Sequence, residues 1–276
     1  MGLANDKVAF ISGVARGQGR SHAVRLAEEG ADIIGFDICA DDDAVEYSLA
    51  SREDLEETKG LIEKFGRRAL LEVADVRDYD AVKRVVDNGV AELGRLDIVL
   101  ANAGVMAITG EHRLRRAAWD VGIDVMLTGV YNTVEAAIPH LRAGGRGGSI
   151  VITSSTAGLT GGLSDGSPGI QGYIAAKHGV VGLMRGWANV LAKEGIRVNT
   201  VHPTGVNTPM VANEAFARFV EEYPEVAGIL QNPLPVPNGL LEPEDVTNSI
   251  MHLISDAGQF ITGSTFRVDA GFSSRA

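Results

Sequence analysis

The chain has 276 residues, 45% of them hydrophobic and 22% charged, which fits a globular protein. Its net charge of −11, with 36 acidic against 25 basic residues, argues against nucleic acid as the main partner, because phosphate backbones reward clustered Lys and Arg. No apolar stretch approaches the ~20 residues of a membrane span, the opening MGLANDKVAFISG does not read as a secretory leader, and a single cysteine, Cys39, excludes an internal disulfide and points to a reducing cytoplasm.

Short apolar runs alternate with longer amphipathic stretches along the chain. The first run, 7–12 (KVAFIS), reads as a strand and leads into Gly13-x-x-x-Gly17-x-Gly19 at the start of a helix over 18–29. Glycine lets the backbone turn sharply and approach a pyrophosphate, while the helix N-terminus offers unpaired N–H groups and a positive dipole end. With 34 glycines in the chain the triple alone is a weak signal, and its place between strand and helix makes it informative. Arg16 and Gln18, inside this turn, join the candidate cofactor-binding set. A second strand, 31–37, closes on Asp37, about 20 residues on, where a carboxylate can accept bonds from an adenosine ribose. It welcomes the 2′-hydroxyl of NAD and repels the 2′-phosphate of NADP. Arg16 could pair with a phosphate and soften that preference. The plainer reading of Asp37 is a strand-end turn residue.

Further strands are expected over 69–75, 96–102, 148–154, 196–202 and 264–269, and helices over 53–65, 79–93, 119–142, 171–193 and 243–255. Seven strands separated by helices need crossovers, which implies an α/β fold with a parallel sheet covered on both faces. No Pro- or Ser-rich linker divides the chain, so one domain over 1–276 is expected. Three connections are longer than such units need: 38–52, 155–170 and 203–242, the last with a helix-like middle. All leave the C-terminal ends of strands, where open α/β sheets bind ligands, and are candidate substrate and lid loops.

Tyr173 and Lys177 lie four apart in a stretch of helical periodicity, so their side chains share one face. A free phenol, with a pKa near ~10, is a poor base at neutral pH. A neighbouring ammonium and a cationic nicotinamide ring would favour the phenolate and bring it toward the working range. Ser155, ending the fifth strand in ITSSTAG, could hold a substrate oxygen from the opposite side, with Ser154 as the competing choice. The plainer alternatives are a core-edge tyrosine and a solvated lysine.

Together, Gly13-x-x-x-Gly17-x-Gly19, Asn102-Ala103-Gly104, Ser155 and Tyr173-x-x-x-Lys177 resemble the short-chain dehydrogenase/reductase family across essentially the whole chain. More narrowly, the long 38–52 loop, RGQGRSHAVRLAEEGADII and VHPTGVNTPM are similar to the actinobacterial carveol-dehydrogenase-like group, often called mycofactocin-dependent. The resemblance implies a doubly wound, seven-stranded parallel sheet of Rossmann type in a three-layer sandwich. It implies NAD as cofactor and hydride transfer with a small, hydrophobic secondary alcohol or its ketone. Tyr173 would be the catalytic acid/base, Ser155 would orient the substrate, and Lys177 would bond the nicotinamide ribose. Asp75 and Val76 would flank the adenine, Asn102, Ala103 and Gly104 would line the cofactor cleft, and Val206 and Thr208 would touch the nicotinamide carboxamide. A homotetramer through the helices at 119–142 and 171–193 is also implied. So is a 38–52 loop folded over the adenine, making NAD nearly non-exchangeable and calling for an external electron carrier to reoxidise it.

One position departs from the family pattern. Asp124-Val125-Met126-Leu127-Thr128-Gly129 carries Met126 where an asparagine is usual, the residue thought to hold a water that extends the proton path from the lysine. A thioether cannot donate a hydrogen bond and accepts one only weakly. On a regular helix Asp124, Thr128 and Asn132 fall on other faces. The alternative reading is therefore a redox-silent NAD-binding or assembly protein with an impaired proton relay, against which the retained Ser155, Tyr173 and Lys177 weigh. Gly162-Leu163-Ser164-Asp165-Gly166 matches the G-x-S-x-G hydrolase signature, but in a Gly/Ser-rich loop rather than between a strand and a helix. The six histidines show no metal-ligand spacing, and Asp41-Asp42-Asp43 reads as a solvated loop, so no metal is expected.

Overall fold

The computed structural model describes residues 2–161, 164–223 and 232–274. Its strands are β1 (Val8–Ser12), β2 (Asp32–Asp37), β3 (Ala69–Val73), β4 (Ile98–Ala101), β5 (Gly148–Thr153), β6 (Ile196–Pro203) and β7 (Thr265–Val268). They form one parallel sheet in the order β3-β2-β1-β4-β5-β6-β7. Parallel neighbours require crossovers, and the crossovers put helices on both faces. On one face lie α1 (Gly17–Glu28), α2 (Arg52–Glu63) and α8 (Pro243–Ile254). On the other lie α3 (Tyr79–Leu93), α5 (Gly129–Gly144) and α6 (Pro168–Leu191). A short α4 (Arg116–Ile123) precedes α5, and α7 (Glu214–Glu222) lies in the connection that leaves β6. No helix among the described residues is long and apolar enough to cross a membrane.

Strand alternation builds the two cores. Phe10 and Ile34 face the layer of α3, α5 and α6, while Ala9, Ile11 and Ile33 face the layer of α1, α2 and α8. Because both faces are covered, all five β1 residues are buried, and such strands read as continuous apolar runs. Every observed strand begins and ends within two residues of its expected bounds. The start of α2 is fixed by a capping box in which the Ser51 hydroxyl accepts from the Asp54 N–H (3.1 Å) and the Asp54 carboxylate accepts from the Ser51 N–H (2.8 Å).

The expected helix over 119–142 differs in form. α4 ends at Ile123, a π turn spans Asp124–Thr128, and α5 starts at Gly129, whose N–H reaches back five residues to the Asp124 carbonyl. A π turn shifts every following side chain around the axis, a change that periodicity does not register. The backbone at Gly129 also passes so close to Val76 that a Cβ there would lie 2.6 Å from it. The strand order reverses direction at β1, which pairs with β2 on one side and β4 on the other. The crevice beyond the C-terminal ends of β1 and β4 is the switch point where sheets of this kind take ligands.

Candidate active site

The glycine turn floors that crevice. Gly13 (φ +70°) and Gly17 (φ +56°) occupy the left-handed region, and a Cβ on Gly19 would sit 1.9 Å from the Gly13 carbonyl oxygen. Asn102 staples the strand ends around it. Its amide donates to the Ser12 and Gly13 carbonyls (3.3 Å each), and its oxygen accepts from the Thr153 hydroxyl (3.3 Å). Gly13, Arg16, Gly17, Gln18, Asp37, Asp75, Val76, Asn102, Ala103, Gly104 and Thr208 all line this cleft. Gly19 stands behind its wall, and Val206 lines a neighbouring apolar pocket.

Asp37 accepts from the Ala15 N–H (3.0 Å), and burial raises its carboxyl against the pull of the Ala15, Cys39 and Ile38 amides. Arg16 donates to the Ser48 carbonyl (2.6 Å), which binds it to the 38–52 loop. Asp75 is held by Arg77. Bared backbone at a helix N-terminus, a strand-end carboxylate and the buried, unpartnered Oε1 of Gln18 make a cleft that fits a dinucleotide.

The 38–52 loop covers one side of the cleft and is fastened at several points. Arg77 pairs with Asp42 (2.8 Å), and Tyr47, buried, accepts from the Met106 N–H (3.2 Å). His112 bonds the Asp43 carbonyl (3.0 Å), and Arg218 pairs with Glu46 (3.1 Å). Asp41 accepts from the Leu49 N–H across the loop (2.7 Å). The acidic run expected to be merely solvated is thus an organising element of this cover. Among the described residues no three side chains are grouped to hold a metal ion.

The reactive residues meet at the edge of the cleft. The π turn and β5 deliver different parts of this region, and α6 presents Tyr173 and Lys177 on one face. Lys177 is 4% exposed, donates from Nζ to the Thr153 carbonyl (2.8 Å), and lies 5.7 Å from the centre of the Tyr173 ring. Burial pushes its ammonium down to about 8. Burial also raises the Tyr173 phenol, and a hydrogen bond from Ser155 pulls it back in part. The depression expected from Lys177 is not what the protein groups produce, because removing a phenolate from water outweighs them. Ser155 Oγ also accepts from the Ala157 N–H (3.1 Å), whereas Ser154 commits its hydroxyl to the Lys177 carbonyl (2.9 Å), so Ser155 faces Tyr173.

Met126 is buried, and its Sδ lies 3.8 Å from where a Gly104 Cβ would be, so the thioether packs beneath the cleft wall. Asn132 donates to the Val76 and Arg77 carbonyls (3.0 and 3.3 Å) and supplies no substitute. Sequence reasoning gave His202 no role. Its Nδ1 bonds the Ser155 carbonyl (2.8 Å) and its Nε2 bonds Thr200 (2.8 Å), while burial lowers it to about 4 and keeps it neutral. Its position in strand β6 beside β5 was the available signal.

Ser155 and Tyr173 open onto a second pocket, which shares Gln18, Thr208 and Met210 with the cofactor cleft. Its walls are mostly apolar, with Met106, Ile108 and the aromatic residues Phe216, Phe219 and Tyr223 of the α7 region. The spacing of those aromatics, i, i+3, i+7, is the amphipathic signal that could have found them. Pro224 and the rest of 224–231 lie outside the described residues, as do Gly162 and Leu163 of the G-x-S-x-G match. Ser164 of that match is exposed and accepts from the Gly166 N–H within its own loop (3.3 Å).

Known proteins are similar to this chain in sequence and fold. The family described as Enoyl-(Acyl carrier protein) reductase, a short-chain alcohol dehydrogenase type, matches residues 13–273. The (-)-trans-carveol dehydrogenase of Rhodococcus erythropolis is 46% identical, over 98% of this chain and 99% of that one. A solved carveol dehydrogenase from Mycobacterium avium in complex with NAD superposes with a TM-score of 0.90, at 46% identity over 99% of both chains. A short chain dehydrogenase from Mycobacterium paratuberculosis bound to NAD gives 0.91, at 43% identity over 99% of this chain and 100% of that one. By motif, fold and kinship, the chain belongs to the short-chain dehydrogenase/reductase family.

Proposed function

We propose that the chain oxidises a small, hydrophobic, ring-sized secondary alcohol to its ketone with NAD, and runs the reverse reaction. The observation that carries this reading is that Ser155 and Tyr173 stand together in the wall of an apolar pocket that adjoins the dinucleotide cleft and shares Gln18, Thr208 and Met210 with it. Bound NAD supplies the hydride acceptor and, when oxidised, a positive ring. The glycine turn and Asp37 would hold it, with Gln18 and Thr208 at the boundary of the two pockets and Val206 in the apolar one. Ser155 holds the substrate oxygen. Tyr173 takes the hydroxyl proton at its Oη as the C–H electron pair leaves, and returns it in reduction. Lys177, beneath Tyr173 and held by the Thr153 carbonyl, would bond the nicotinamide ribose. Arg16, Asp75, Val76, Asn102, Ala103 and Gly104 complete the cofactor wall.

The fastened 38–52 loop supports slow exchange of NAD, with an external electron carrier to reoxidise it. Exposed Tyr131, stacked on Trp187 (6.2 Å), and exposed Val190 support a homotetramer through α5 and α6, which light scattering tests. The lone thiol of Cys39 fits a reducing cytoplasm. To test the cofactor, the protein is dialysed, denatured and the released nucleotide identified by mass spectrometry. Near-stoichiometric NAD is expected. An empty protein that binds NAD reversibly overturns retention, and one that never binds NAD overturns the reading.

A further inference from the structure

Arg113 takes no part in the chemistry above, yet it is buried behind the wall of the apolar pocket. Its guanidinium joins three segments that are distant in sequence. It donates to the Gly110 carbonyl (2.7 Å), to Asp165 Oδ2 in the connection leaving β5 (3.1 Å), and to the Tyr223 hydroxyl just past α7 (2.7 Å). It also lies 5.1 Å from the centre of the Tyr223 ring and 5.7 Å from that of Phe219. Asp165 accepts in turn from the Ser167 N–H (2.8 Å), the residue before α6. Gly169, in the first turn of α6, packs so closely that a Cβ there would be 3.3 Å from Arg113 Cα. Asp165, Phe219 and Tyr223 are themselves pocket walls. A planar fork of donors thus ties the aromatic side of α7 to the start of the helix that carries Tyr173. A lysine, with one compact charge, cannot span the three partners.

The geometry points to Arg113 as the positioning residue of the substrate pocket. By clasping Asp165 and Tyr223 it fixes Phe219 and Tyr223 as a wall, and so sets how well a ring-sized alcohol is held beside Tyr173. The inference rests on placing the substrate in that pocket.

The test compares the wild type with Arg113→Met, Arg113→Lys, Tyr223→Phe and Asp165→Asn, using cyclohexanol and 2-propanol with a dye acceptor to reoxidise the cofactor. In Arg113→Met the KM for cyclohexanol should rise about tenfold or more with kcat little changed, while 2-propanol, too small to need the wall, keeps its kcat/KM. Arg113→Lys should recover part of the effect. Adding Tyr223→Phe to Arg113→Met should add little, since both break the same bond. Amide hydrogen exchange over 214–222 should quicken in Arg113→Met and stay unchanged over 168–191. Equal losses on both alcohols, or wild-type exchange over 214–222, overturn the inference. If the wild type oxidises neither alcohol, the placement of substrate fails and the selectivity inference falls with it. The exchange data then judge the clasp by itself.

Discussion

Two connections close the site, and they do it by different means. The 38–52 loop is fastened over the cofactor cleft by directional polar bonds to Arg77, Met106, His112 and Arg218. The segment leaving β6 walls the apolar pocket with aromatic side chains, held from behind by Arg113 and tied at one point, Arg218, to the 38–52 loop. A dinucleotide always presents the same polar groups, so a rigid, bonded cover suits it. A hydrophobic alcohol presents one polar group and otherwise shape, so an apolar wall suits it. On the proposed function, the contrast would separate retention of the cofactor on one side from admission of the alcohol on the other.

The largest expected effect sits between the two regions. Tyr173→Phe should cut turnover by roughly 10²–10⁴-fold while NAD content stays that of the wild type. Retained turnover, measured with a dye acceptor, would break the assignment of Tyr173. Arg77→Ala should then separate the sides, because it removes the anchor that holds Asp42, and with it the 38–52 loop, over the cleft. NAD should dissociate about tenfold faster, as seen by nucleotide release into buffer, with the alcohol KM unchanged. Phe219→Ala should do the reverse, raising the alcohol KM by about tenfold and leaving NAD release alone. If both variants moved both quantities, the two covers would be one coupled device.

Acid should loosen both sides, with a smaller and graded effect. Burial lowers His22, on the inner face of α1, to about 3, and His202, behind Ser155, to about 4. Both lie below the unfolded value of ~6.5, so the unfolded chain binds the extra protons. Each histidine contributes stability that is present above pH ~6.5 and is lost as pH falls toward its folded value, about 2 kcal/mol between pH 7 and 5. Thermal melting should therefore fall over that interval, and His22→Gln should flatten the slope. A melting temperature independent of pH from 7 to 5 would refute this.

Most of the fold was legible because both faces of the sheet's centre are covered, so strands such as β1 and β4 stand out as apolar runs. The π turn at Asp124–Thr128 was not, since one extra residue leaves the apolar pattern nearly intact. Gly13, Ser155, Tyr173 and Lys177 were legible because their spacing is local or fixed by strand ends. The upward push that burial gives the Tyr173 phenol was not, because desolvation depends on what covers the ring, which no spacing reveals. The fasteners of the 38–52 loop, His202 and the Arg113 clasp stayed hidden for one shared reason. Their partners lie far away in sequence: Tyr47 from Met106, His202 from Ser155, Arg113 from Tyr223. Met126 reads as a loss in sequence, yet in the structure it is a packing residue under Gly104.

Arg16 bears on any attempt to redesign the chain for NADP. Replacing Asp37 removes the repulsion toward a 2′-phosphate, and Arg16 is the cation whose charge already reaches that carboxylate. Its guanidinium, however, is bonded to the Ser48 carbonyl and holds the cover in place. Turning it toward a phosphate would pull out one of those stitches. Cofactor preference and cofactor grip are therefore inherited together in this molecule, and variants that gain NADP should also become leaky.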